Sequence, residues 1–304
     1  MHPILFQIGS YPVHTFGFCM GSGFLVGILY SIRQARIWGV DPDKIFNTCF
    51  WVMVSGVLGS RLMYIGIDLA YKRGQSEFMT LNPIKILALW EGGLVWYGGM
   101  ILASIVALSY ARAVRLPVWT TADILAPATF MGLAIGRVGC LMAGDDFGKP
   151  TTVPWAIVFH NPEALVYPPS LIGQPLHPTQ VYMEAKSFFV AFVGHLLLRR
   201  KRFDGQVMGV SFMIYAVLRY IVEIYRGDSD RGWIPWTHQT LSTSQGVGIA
   251  VFAVGLLILG SRRRAMPAIN LDRPPPPPPP APLVPPEAPP APPEAEPGMP
   301  APAV

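Results

Sequence analysis

Charged side chains set within apolar stretches are the first residues of this 304-residue chain whose types and spacing point to chemistry. Arg61, Arg137, Arg219 and Glu223 fall inside such stretches, and Arg226 closes one. A charge within a bilayer costs roughly 2.5–3.5 kcal/mol on insertion scales, so it is kept for a partner or a task. Arg219, Glu223 and Arg226 recur at i, i+4 and i+7 and share one helical face. For Arg219 and Glu223, an ion pair that locks helices competes evenly with a functional role. Arg137 has no carboxylate one turn away along its own helix. Arg137 and Arg226 therefore suit an anion from outside, and an arginine near the outer leaflet can grip a lipid phosphate through two parallel hydrogen bonds.

Glycines crowd the same regions. Gly92, Gly93, Gly98 and Gly99 frame Trp96-Tyr97, and Gly132, Gly136, Gly139, Gly144 and Gly148 run past Arg137. A single glycine in a membrane helix serves close packing. Two dense clusters, each holding a polar group, suggest a backbone brought close to a ligand. The segment 143–180 carries Asp145, Asp146 and Lys149 and ends in His177-Pro-Thr-Gln180-Val-Tyr182. A lone histidine is more often a satisfied polar residue than a catalyst. Beside Gln180 and Tyr182, at the entry to an apolar stretch, His177 becomes a candidate hydrogen-bonding group of a polar cavity. Cys19, Cys49 and Cys140 show neither metal-ligand nor CxxC spacing. No metal site, disulfide framework or cofactor is expected from them.

The elements that must hold these residues follow from composition. Hydrophobic residues make up 51% and charged residues 13% of the chain, against roughly 25% charged in soluble domains. The mean hydropathy is +0.39. A soluble globular enzyme is excluded, and a polytopic membrane protein is indicated. A membrane helix needs about 20 mostly apolar residues. Seven stretches qualify: 15–32, 45–67, 92–110, 119–142, 181–198, 206–225 and 243–260. The third and seventh carry no charge, and the fifth is weakest, with Glu184 and Lys186 near its start. The expected fold is all-α, a bundle of about seven transmembrane helices over residues 1–265. Beyond it, 266–304 contains seven consecutive prolines and can bury no core. That segment reads as a polyproline-II-like or disordered tail. The start of the chain shows neither the basic region nor the cleavage pattern of a signal peptide.

Basic residues set the orientation. Thirteen of the 23 follow the first, third, fifth and seventh stretches, among them Arg199, Arg200, Lys201, Arg202 and Arg262, Arg263, Arg264. The positive-inside rule puts these in the cytoplasm, the N-terminus outside and the C-terminus inside. The net charge of +5 and pI near 9.2 then reflect membrane orientation and anionic headgroups. No nucleic-acid partner is implied.

Several of these residues form a recognisable set. Gly136-Arg-Val-Gly-Cys-Leu-Met-Ala-Gly-Asp-Asp-Phe-Gly148 resembles the signature of the prolipoprotein diacylglyceryl transferase family. So do Glu91-Gly-Gly-Leu-Val-Trp-Tyr-Gly-Gly99, His177-Pro-Thr-Gln-Val-Tyr182, Leu218-Arg-Tyr-Ile-Val-Glu-Ile-Tyr-Arg226, Gly59-Ser-Arg-Leu-Met-Tyr64 and Ser244-Gln245. The likeness spans about residues 3–262 and leaves the tail uncovered. It implies a multi-pass enzyme of the bacterial inner membrane, with phosphatidylglycerol and preprolipoproteins as partners. Such an enzyme moves the diacylglyceryl group of the lipid to a lipobox cysteine thiol, forming a thioether and releasing glycerol phosphate.

The likeness has departures. The family pattern has histidine where this chain has Tyr97, asparagine at Cys140 and Ala143, glutamate at Asp145 and tyrosine at Phe16. Met183 stands where a glutamate often follows the tyrosine. The residues expected to act are Arg137 and Arg226 as a phosphate clamp, Tyr97 as a hydrogen-bond partner or base, and His177 as the histidine able to work near neutral pH. The substrate-binding set implied by the resemblance is Arg61, Tyr64, Gly98, Gly99, Gly136, Gly139, Cys140, Asp145, Gly148, Gln180, Tyr182, Arg219 and Glu223. A lipid or anion transporter built on the same arginines is the alternative. So is a catalytically weakened paralogue that binds precursors without turning them over.

Overall fold

The computed structural model describes residues 4–9, 11–71, 86, 93–161, 164–166, 168–227, 232, 237 and 240–265. The separate tail expected over 266–304 lies outside the described residues. Seven long helices account for most of the rest: α1 (Thr15–Ile37), α2 (Pro42–Tyr71), α3 (Trp96–Ala113), α4 (Val118–Ala143), α5 (Thr179–Arg200), α6 (Gln206–Ile224) and α7 (Thr243–Ala265). Each expected apolar stretch is a helix. Six are long and apolar enough to cross a membrane. The one outside that set is α3, the stretch that reads as charge-free over 92–110. It begins only at Trp96, after an extended Val95, and carries Arg112 in its last turn. Conversely, the weakly patterned fifth stretch is a regular helix of 22 residues.

Apolar side chains face outward along the bundle. Leu25, Leu62, Phe192 and Leu257 are exposed, while Thr48, Asp123, Gln180, Lys186 and Glu223 are buried. This inverts the soluble pattern and suits a lipid surround. With no hydrophobic drive between helices in lipid, close backbone contact must hold them. A Cβ on Gly23 of α1 would meet the Gly132 carbonyl oxygen of α4 at 2.6 Å, and one on Gly59 of α2 would meet Gly98 of α3 at 2.5 Å. A Cβ on Gly255 of α7 would meet the Gly209 oxygen of α6 at 2.8 Å.

A buried charge cluster closes the end where α5 meets α6. Asp123 of α4, fully buried, accepts from Lys201 Nζ at 3.0 Å and from the backbone N–H of Gly205 and Met208. Lys201 also reaches Asp204 at 2.6 Å and lies 4.4 Å from the Trp38 ring centroid. Burial would raise the Asp204 carboxyl, but Lys201 holds it below the usual range.

Segment 143–180 is more structured than its composition suggests. Strands β3 (Ile157–Val158) and β4 (Pro175–Leu176) pair antiparallel over a small core of Phe147, Phe159, Val166 and Leu176. At the N-terminus, β1 (Ile4–Ile8) and β2 (Tyr11–His14) form a hairpin ahead of α1. These two small sheets, with isolated bridges at Gly148–Arg226 and Pro150–Leu176, depart from an all-α layout.

Candidate active site

The site begins where α4 ends. Gly144 caps the helix in the left-handed conformation (φ 78°), and its N–H and that of Asp145 both bond the Cys140 carbonyl oxygen. This is the usual glycine termination of a helix. Two residues on, Asp146 is itself left-handed (φ 57°), a conformation that Asp adopts more readily than most residues. The N-terminus of α5 pins that turn. Gln180 Nε2 donates to the Asp145 carbonyl oxygen at 2.7 Å, and Thr179 Oγ1 donates to that of Asp146 at 2.5 Å.

The turn aims the Asp146 carboxylate between two arginines. One oxygen accepts from Arg137 Nη1, and the other from Arg226 Nη2 at 2.5 Å. Burial alone would raise this carboxyl, but the two guanidiniums hold it below the usual carboxylate range. Arg137 and Arg226 therefore have an internal partner, contrary to the expectation from spacing along Arg137's own helix. The partner comes nine residues on, after the helix has ended. The neighbouring Asp145, expected in the binding set, is exposed, and its Oδ1 accepts the Asp146 N–H at 2.8 Å. Adjacent carboxylates look alike in sequence, and the left-handed turn decides which faces inward.

A second network joins α3, α6 and α7. Arg219 is ion-paired to Glu223 within α6, and its Nη2 donates to Ser244 Oγ of α7 at 3.0 Å. The same hydroxyl lies 3.2 Å from the Tyr97 hydroxyl. Ser244 thus links Tyr97 to Arg219. Tyr215, which the sequence reading passed over, stands amid Arg219, Arg137, Tyr97 and Glu223. One turn along α4 from Arg137, the buried Cys140 has its sulfur 3.6 Å from Arg137 Nη1.

His177 belongs to a third group, at the rim. Its Nδ1 lies 3.3 Å from the Tyr182 hydroxyl, its ring packs 5.0 Å from that of Tyr225, and Trp155 donates to Tyr182 at 2.7 Å. Gly148 lets this strand cross closely, since a Cβ there would overlap the His177 backbone. Gly148 also bridges to Arg226.

Other residues of the expected set are placed by packing. Arg61 Nε donates to the Ile86 carbonyl oxygen at 3.0 Å, its guanidinium lies 5.6 Å from the Tyr64 ring centroid, and Tyr64 fills the space beside Gly93. Gly98 and Gly99 meet the backbone of α2, and Gly139 meets Phe16 and Cys19 of α1. Gly136 faces open space.

Residues 3–260 match the family described as prolipoprotein diacylglyceryl transferase. A relative from Clostridium tetani named phosphatidylglycerol–prolipoprotein diacylglyceryl transferase is 30% identical over 263 residues, covering 86% of this chain and 98% of its own. Relatives of the same name from Bordetella parapertussis and Pediococcus pentosaceus are 34% and 28% identical, over 74% and 88% of this chain and 82% and 92% of theirs. Matched along nearly its whole helical body, the chain belongs to the prolipoprotein diacylglyceryl transferase family.

Proposed function

We propose that this protein transfers the diacylglyceryl group of phosphatidylglycerol to the cysteine thiol of a preprolipoprotein, releasing glycerol phosphate. Family membership supports the reaction, and the convergence of Arg137 and Arg226 on one anion carries the assignment of the site. The lipid phosphate takes the place that the Asp146 carboxylate holds here. There it accepts charge-assisted bonds from both guanidiniums, which strengthen as charge gathers on the departing oxygen.

The acceptor enters as a thiol, whose ordinary pKa near 8.5 leaves little thiolate at neutral pH. It loses its proton to solvent, and its sulfur attacks the glycerol carbon bound to the phosphate oxygen. A sulfur–carbon bond forms, and the carbon–oxygen bond breaks with its electron pair left on phosphate. Tyr97 orients the reacting groups through Ser244 and Arg219. His177 serves from the rim, and Arg61 holds the wall beside Gly93. The substrate cysteine belongs to a lipobox of the incoming protein, and Cys140 is not the acceptor. The site opens to the outer leaflet of a bacterial inner membrane, with the N-terminus outside and the tail in the cytoplasm. No nucleic acid takes part.

The test is transfer by the purified protein in proteoliposomes of phosphatidylglycerol, using a lipobox peptide and its Cys→Ser control. A mass gain of one diacylglyceryl group on the cysteine peptide alone is expected. Binding of peptide without transfer would instead identify a weakened paralogue.

A further inference from the structure

Lys186 takes no part in the mechanism above, yet it lies in the same interior. It sits seven residues into α5, about 10 Å along the helix from Thr179 at 1.5 Å per residue. Only 8% of it is exposed. Its ammonium lies 4.1 Å from the centroid of the Tyr215 ring and makes a 3.5 Å contact to Ser187 Oγ. It forms no ion pair among the described residues, and the charges acting on it are those of Arg137 and Arg219. Those two guanidiniums are bound to carboxylates, Arg137 to Asp146 and Arg219 to Glu223. A cation buried beside two others needs a reason, because burial of a charge is costly unless it is compensated. The face of an aromatic ring compensates a desolvated cation less than an anion would.

The reaction supplies that anion. Phosphatidylglycerol brings a phosphodiester with one negative charge. Transfer leaves a phosphomonoester with two, while the thiol proton departs to solvent. The second charge appears only as the carbon–oxygen bond breaks. We infer that Lys186 is a catalytic residue that leaves the Tyr215 ring to contact the phosphate oxygens of the departing glycerol phosphate. This rests on the transferase reading. A cation that meets charge present only late in the reaction raises kcat and leaves substrate binding nearly unchanged.

The test compares Lys186→Met, Lys186→Arg and wild type in detergent. One readout is transfer from phosphatidylglycerol to a lipobox peptide. The other is the shift of the thermal unfolding midpoint caused by glycerol 1-phosphate. For Lys186→Met, kcat should fall about 100-fold, the scale of losing one donor to a developing oxyanion. KM for phosphatidylglycerol should stay within about threefold, since ground-state binding is untouched. The stabilisation by glycerol 1-phosphate should shrink, since Arg137 and Arg226 still hold the phosphate, and Lys186→Arg should restore part of both. A Met variant with wild-type kcat and an unchanged glycerol-phosphate shift overturns the inference. So does a Met variant whose ligand-free midpoint drops, because Lys186 would then be a structural cation. A wild type that transfers nothing defeats the transferase reading, while the thermal shift still decides whether Lys186 meets the phosphate.

Discussion

Arg137 and Arg226 come from different helical ends and meet on one carboxylate, and this geometry gives their substitutions different consequences. Arg137→Lys keeps the charge but loses the fork, and should lose much of the activity. Arg137→Gln should cost at least about 100–1000-fold in kcat, the range for one lost oxyanion donor. Its level in the membrane must match wild type for the comparison to hold. Tyr97→Phe should cost about 1 kcal/mol, one net hydrogen bond, if Ser244 is its partner and Tyr97 only orients; a loss as large as that of Arg137→Gln would make it the base. Asp146→Asn removes the charge that both guanidiniums share. It should lower the ligand-free unfolding midpoint, with a cost of about 1.5–3 kcal/mol for bonds to charged groups. The carboxyl is held below its usual value. It therefore contributes stability above the unfolded pKa near 3.9 that is lost as pH falls through the lower folded value. Wild type and Asp146→Asn should converge in stability in acid and differ by the full amount above about pH 4, which melts in detergent across pH would read. The arginines of this site were legible in sequence because charge within apolar runs is conspicuous. Tyr215 was not, and neither were the partners of Asp146 and Ser244, though both residues stand in the family-like segments. Ser244 meets Tyr97 across 147 positions, and no spacing along one helix reveals such a meeting.

Among the elements, the helices were legible for the same reason in reverse: long apolar runs have few structural alternatives. Their ends were less so. Gly92–Val95 is as apolar as the helix it precedes, but the Val95 N–H bonds the Ser60 carbonyl oxygen of α2, and α3 starts one residue later. The β3–β4 cap was illegible because its strands are two residues each, too short for any alternation to show. Asp123, a carboxylate within an apolar run, is accounted for by Lys201 and two backbone N–H groups at the start of α6. Breaking a buried pair on one side costs about 3–5 kcal/mol. Asp123→Ala should therefore reduce the folded fraction sharply in detergent, while Asp123→Ala with Lys201→Met should recover much of it. A double variant no better than the single would place the loss in the backbone N–H groups.

For the whole molecule, the basic last turns of α5 and α7 support a cytoplasmic face at those ends. A reporter active only in the cytoplasm should work when fused after Arg202 or Arg264 and fail at Lys149. Activity at Lys149 would turn the molecule over and remove the site from the outer leaflet. The proline-rich segment 266–304 is proposed as a cytoplasmic spacer. Its deletion should leave transfer in proteoliposomes within about tenfold, a change of about 1.4 kcal/mol in barrier height. A larger loss would make it part of the catalytic machinery.

The left-handed turn that fixes Asp146 also means that the proposed clamp is never vacant. A tethered group competes at an effective concentration in the millimolar range or above, whatever the surroundings contain. Dilute carboxylates or sulfate in the surrounding water would face this incumbent at a constant disadvantage. A lipid confined to the same membrane does not, because it too arrives at high local concentration. Occupancy would then track the mole fraction of anionic lipid in the outer leaflet rather than the salts of the medium, and the rate of lipoprotein maturation would follow it.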